Sequence, residues 1–259
     1  MKNLRKYGEK PFDVAVVHGG PGAPGEMAPV ARELSSGVGV LEPLQTATTL
    51  EDLAKELVAV LEKNGALPVT LIGFSWGAML SFIVAAQHPP LVKKLILIGS
   101  GVFEEKYAAN IAKTRLSRLS GERKREALSL IKDIRNHAMG DKNGLMARLG
   151  DLVSEADSYD PFPCDCEVVE YRYDIYENVW AQAREMRSSG KLLELGKKIQ
   201  CPLVAIHGDY DPHPSDGVKD PLCRVINDFR FILLEKCGHR PWTERHAKDK
   251  FYGILKSEL

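Results

Sequence analysis

Residues 69–87, from Val69 to Gln87, read VTLIGFSWGAMLSFIVAAQ, and this stretch decides the fold. Val69 to Phe74 is a short apolar run suited to a buried strand. Trp76 to Gln87 is apolar nearly all round, as a helix packed against a sheet is. At their junction Gly73-Phe74-Ser75-Trp76-Gly77 has the form G-x-S-x-G. A serine there sits on a tight, strained strand-to-helix turn, and the flanking glycines let backbone and neighbouring elements approach without a Cβ clash. The turn lifts the Ser75 hydroxyl clear of the sheet, which makes it a candidate nucleophile. The Trp76 N–H at the helix start is a candidate donor to a developing oxyanion.

Similar apolar runs occur on either side, at 12–18, 38–44, 95–99, 203–207 and 229–234. Near-continuous rather than alternating apolarity is what a parallel sheet covered on both faces requires. Amphipathic stretches lie between the runs. In the clearest, Leu50, Leu53, Leu57, Val60 and Leu61 recur at helical spacing, with Thr49 placed to cap the start and Gly65 the end. Strand alternating with helix predicts an α/β fold, a doubly wound and mostly parallel sheet. From 102 to 198 the strand signals stop and the sequence turns charged and helical, so a helical cap is expected there, inserted into a core made of 1–101 and 199–259. The cap's first part is basic and its segment 151–177 acidic. Complementary solvated helix faces account for this most simply; an acidic pocket rim is the sharper alternative.

The bulk numbers narrow the function classes. Of 259 residues, 44% are hydrophobic and 27% charged, an ordinary globular composition. Thirty-five basic residues balance 35 acidic ones, so no overall field favours nucleic acid or an anionic membrane. Cys164, Cys166, Cys201, Cys223 and Cys237 form an odd set without zinc-site or disulfide-framework spacing, which suggests reduced thiols. No apolar run is long enough for a membrane span and the start lacks a signal-peptide core, so a cytoplasmic location is expected. No metal or organic cofactor is called for.

Three further segments carry chemistry. His18-Gly19-Gly20-Pro21-Gly22 follows the first strong strand, and its glycines permit a path that turns amides into a pocket. The Gly20 N–H is the candidate second oxyanion donor. A phosphate cradle is disfavoured, because the loop has no Walker lysine and Pro21 and Pro24 remove donors. His18 itself is expected to hold the loop. After the strand at 203–207 comes Gly208-Asp209-Tyr210-Asp211. Asp211 is the favoured triad acid from its place past the glycine and from the order nucleophile, acid, histidine, and Asp209 is the alternative, more suited to pinning the turn. After the last strand, Cys237-Gly238-His239 places a histidine on a glycine-loosened loop, where it can reach the serine as general base. His207 is expected to be buried in a strand, His213 is assigned no role, and His246 is expected to face solvent on the terminal helix. Cys237 is expected to be a small core residue.

With these motifs in their order, the chain resembles the α/β-hydrolase superfamily, and HGGPG together with GFSWG resembles its prolyl iminopeptidase branch. That resemblance implies a serine hydrolase with Ser75, Asp211 and His239 as triad and Gly20 and Trp76 as oxyanion amides. Ala23 and Phe74 depart from that branch, which usually has a glycine and a small residue there. The short lead before the first strong strand implies that the antiparallel strands that often begin the fold are missing or reduced. The expected substrate is a small molecule or a short peptide: an ester, thioester or amide, or, in an alternative version, a peptide with a free amino terminus drawn to acidic residues such as Glu167 and Glu170. An apolar rim from Phe103, Phe162, Tyr171 or Trp180 would favour the ester. A hydrolase-fold protein that only binds a ligand is the rival from another class.

Overall fold

The computed structural model describes residues 3–136, 140–163 and 168–259. The apolar runs form strands β1 (Leu4–Tyr7), β2 (Phe12–Val17), β3 (Gly39–Pro43), β4 (Val69–Phe74), β5 (Val92–Ile98), β6 (Leu203–Gly208) and β7 (Phe229–Leu234). They make one seven-stranded sheet in the order β1-β3-β2-β4-β5-β6-β7, in which every pairing is parallel except β1 with β3. β1 is a four-residue antiparallel edge strand paired with β3.

The helices are α1 (Ala28–Leu34), α2 (Leu50–Asn64), α3 (Trp76–Gln87), α4 (Glu105–Ala108), α5 (Ile111–Arg118), α6 (Gly121–Arg135), α7 (Lys142–Asp157), α8 (Tyr173–Ser188), α9 (Lys191–Leu195), α10 (Asp216–Val225) and α11 (Lys248–Ser257). Alternate strand residues enter two different cores. Ala15, Leu71, Leu95, Leu97 and Ala205 join α2, α3 and α10 on one face, whereas Val14, Ile72, Ile96, Ile98 and Val204 join α1 and α11 on the other. Because successive side chains point to opposite faces, double coverage needs apolar residues at every position of the central strands, which explains why their runs are unbroken. α2 begins as its sequence predicts, with the Thr49 hydroxyl accepting from the Asp52 N–H at 3.1 Å and Gly65 closing the helix onto the Leu61 carbonyl.

Between β5 and β6 the described residues contribute no strand to the sheet, only α4 to α9. α6 and α7 share a small core of their own, built on Leu119, Ala127, Leu130, Leu152 and Ala156. α8 differs: its Ile175, Val179 and Ala183 are buried in the main core with α2 and α3. The basic and acidic parts of this segment pair in places: Arg123 with Glu155 is exposed, as the simpler charge reading has it, whereas Arg115 holds an Asp157 carboxylate that is buried.

The strand order reverses beside β2, whose chain neighbours β3 and β4 lie on its two sides. Loops leaving the carboxyl ends of β2 and β4 therefore diverge from one crevice, where ligands of open α/β sheets bind. The glycine loop after β2 and the Ser75 turn after β4 are those two loops.

Candidate active site

Ser75 joins β4 to α3 with φ 51° and ψ −112°, a conformation outside the usual L-residue regions. The turn tolerates it because of what lies beneath. A Cβ on Gly77 would overlap the carbonyl oxygens of Val17 and His18, so α3 can press onto the end of β2 only with glycine there. The Ser75 N–H is held by the Ile98 carbonyl at 2.9 Å.

Ser75, His239 and Asp211 come together from three loops. His239 Nε2 lies 2.9 Å from Ser75 Oγ, and His239 Nδ1 lies 2.6 Å from Asp211 Oδ2. The side chain of Asp211 is fully buried and that of His239 is 9% exposed. With Nδ1–H donated to the carboxylate, Nε2 is the ring nitrogen free to accept a proton from the serine hydroxyl. Burial by itself raises the Asp211 carboxyl, but the imidazoles of His239, His207 and His213 and the hydrogen bond from His213 together outweigh it and hold the group well below the usual carboxylate range. Phe74, one of the departures from the resembled branch, has a place in this arrangement. Its ring packs 4.9 Å from the His239 ring and 4.7 Å from Trp242.

Of the two aspartates after β6, only Asp211 faces the histidine. Asp209 accepts the Cys237 N–H at 3.1 Å and ties the turn after β6 to the turn after β7. Cys237 is wholly buried, and burial first, then nearby carboxylates, pushes its thiol far up, which leaves it neutral.

The glycine loop is braced on both sides. Gly20 has φ +49° and Gly22 φ +81°, in the left-handed region that glycine favours. His18 is buried with Nδ1 2.7 Å from the Gly19 carbonyl, and burial lowers its pKa, so a neutral ring holds the start of the loop. On the other side, the Arg172 N–H donates to the Gly22 carbonyl and the Val169 N–H to the Pro24 carbonyl, each at 2.8 Å. Trp76 donates its indole N–H to Gln45 Oε1 at 2.7 Å, so the residue after the serine has a fixed side chain.

Several residues here were missed at the level of sequence. His213 is buried, and it donates its backbone N–H (2.9 Å) and Nδ1 (2.8 Å) to Asp211 Oδ1. Burial lowers its pKa to about 4 against the pull of Asp211, so its ring is neutral. The spacing Asp-Pro-His was the available signal. Gln45, and Asp157 with its partner Arg115, carry no local motif at all. Two expectations are also corrected. His246 lies in the turn before α11, exposed and 3.3 Å from Asp160, because the helix begins only at Lys248. Phe103 is 1% exposed and packs on Phe82 in the main core, so it belongs to no rim. Phe162 lies under the Arg245 guanidinium, in a shallow cleft with Trp242 and Tyr252. Trp180 stands 6.2 Å from the buried Trp76 ring and 6.4 Å from Tyr176, a row of aromatic rings packed on the main core. Glu167, Cys164 and Cys166 lie outside the described residues, and Glu170 is 3.9 Å from Arg172, which also binds Asp174.

Asp211, His213 and His239 form a compact group of potential metal ligands. Their contacts are hydrogen bonds of 2.6–2.8 Å in which both Nδ1 atoms end on the carboxylate. Ligands about 2.0–2.1 Å from a tetrahedral zinc stand farther apart than that, so this arrangement suits proton sharing rather than an ion.

Comparison with known proteins bears on the family and the fold. The family described as alpha/beta hydrolase fold matches residues 16–241. A pimeloyl-[acyl-carrier protein] methyl ester esterase from Neisseria meningitidis is 22% identical over 215 residues, 80% of this chain and 72% of that protein. A pyrrolizixenacetamide deacetylase from Xenorhabdus hominickii is 31% identical over 71 residues, only 27% of either chain. The crystal structure of a proline iminopeptidase from Mycobacterium smegmatis superposes with a TM-score of 0.63 at 17% identity, covering 98% of this chain and 93% of that one.

Proposed function

The chain belongs to the alpha/beta hydrolase family, and from that premise we propose that it is a serine hydrolase that cleaves a small ester, thioester or amide through an acyl-enzyme on Ser75. The observation that carries this reading is the continuous hydrogen-bonded run from Ser75 Oγ through the His239 ring to Asp211.

In the first step Ser75 Oγ attacks the substrate carbonyl while its proton passes to His239 Nε2. The same proton then goes to the leaving group as the bond to the acyl carbon breaks. Water, deprotonated by His239, attacks the acyl-enzyme and returns the serine. Asp211 stays ionised throughout and stabilises the imidazolium. The Gly20 and Trp76 amides serve as oxyanion donors, each worth about 3 kcal/mol in the transition state. Residues 102–198 act as a cap over this centre, anchored by Phe103 and α8 in the core that 1–101 and 199–259 supply.

An ester or thioester is the better substrate class, because Trp180 and Tyr176 offer an apolar wall beside Trp76. The acidic residues Glu170 and Asp174 are already engaged by Arg172, which leaves them less to offer a substrate ammonium. A panel comparing a short acyl ester with an aminoacyl arylamide tests the choice. Ester turnover alone is expected, and faster cleavage of the arylamide would reverse it in favour of an aminopeptidase.

A further inference from the structure

The amide of His239 is held from outside the sheet. Its N–H donates at 2.8 Å to the carbonyl of Asp157, the last residue of α7. The carboxylate of the same residue, 5% exposed, is gripped by Arg115 of α5 through Nε at 2.7 Å and Nη2 at 2.6 Å. A second guanidinium, Arg118, donates to the neighbouring Ala156 carbonyl at 3.0 Å. The turn is fastened again one residue earlier, where buried Glu244 accepts from the Gly238 N–H at 3.0 Å and from the N–H groups of Tyr159 and Asp160 at 2.9 Å.

We propose that the Arg115–Asp157 pair is a positioning device for His239, fixing the end of α7 so that the Asp157 carbonyl sets the height of the imidazole over Ser75. This rests on the reading of His239 as general base. A buried ion pair adds little net stability over an apolar pair of the same volume, so its value here is directional. Two parallel hydrogen bonds fix both the distance and the rotation of the carboxylate. Through one residue they fix the carbonyl that holds His239. Neither Arg115 nor Asp157 hydrogen-bonds the triad side chains, so the pair reaches the base through its backbone, beside a longer-range attraction between the Arg115 charge and Asp211 that Arg115→Lys retains. Its signature is a fall in kcat with KM retained, since a displacement of about 1 Å at the base costs up to ~100-fold in rate.

The test is steady-state hydrolysis of 4-nitrophenyl acetate by the full chain, with near-ultraviolet circular dichroism as the check of fold. Asp157→Asn and Arg115→Gln are expected to lower kcat by about 10- to 100-fold with KM within about 3-fold, and Arg115→Lys, which keeps the charge but not the fork, to fall between them and wild type. If Asp157→Asn does not fold, the order wild type, Arg115→Lys, Arg115→Gln in kcat at constant KM decides. Folded variants with wild-type kcat, or with kcat intact and KM raised, overturn the positioning role alone. Wild-type protein without Ser75-dependent turnover overturns the serine hydrolase reading as well.

Discussion

The rings of His213 and His239 lie 4.8 Å apart, each with its Nδ1 on a different oxygen of the Asp211 carboxylate. One histidine thus occupies Oδ1 and leaves Oδ2 to the other. The division has a consequence for acid stability. His213 has a folded pKa of about 4 against an ordinary value of 6.5, so between those values the unfolded chain binds the proton that the folded one refuses. Its contribution is complete above pH 6.5 and is lost as pH falls toward 4, about 3 kcal/mol in the limit. Urea denaturation across that window should show stability rising with pH, and His213→Gln should flatten the rise. Parallel slopes for the two proteins would remove His213 from the account.

The two aspartates of the Gly208–Asp211 turn predict different losses. Asp211→Asn removes the carboxylate that fixes the tautomer of His239 and should lower kcat by about 10³- to 10⁴-fold. Asp209→Asn keeps an oxygen for the Cys237 N–H and should stay within about 10-fold of wild type. Kinetics on one activated ester compares them, and a reversed order would move the acid to Asp209.

Gly77→Ala should destabilise the protein by about 1–3 kcal/mol, because the new Cβ meets the carbonyl oxygens of Val17 and His18 at the sheet's own backbone, which cannot give way as a side chain does. A denaturation midpoint equal to wild type would show that α3 can lift from β2 without cost.

Cys237 adjoins the histidine loop yet is inaccessible and neutral. Iodoacetamide at pH 7 is expected to leave ester hydrolysis intact, and Cys237→Ala to retain it. Rapid inactivation traced to this thiol would contradict that role.

What was legible in the sequence is what local chemistry encodes. The unbroken apolar runs led to the strands, because double coverage leaves no polar positions in them. Ser75, Asp211 and His239 were singled out because each follows a strand at a glycine-bearing turn, in the order nucleophile, acid, histidine. What escaped has no local signature. Asp157 reaches His239 across 82 positions and Arg115 reaches Asp157 across 42, and these contacts exist only once α5 and α7 have packed. Phe103 looked like a rim aromatic because it follows a strand, but the helices on that face fold over it. The edge strand β1 was faint because four residues on a sheet edge, largely half-exposed, need little apolar patterning.

If Ser75 is an activated nucleophile, a fluorophosphonate labels it covalently, and peptide mass spectrometry locates the label. Stoichiometric modification of wild-type protein at Ser75 is expected, and none in a folded Ser75→Ala variant. A folded wild-type protein that stays unmodified, or a label that persists in Ser75→Ala, would contradict it.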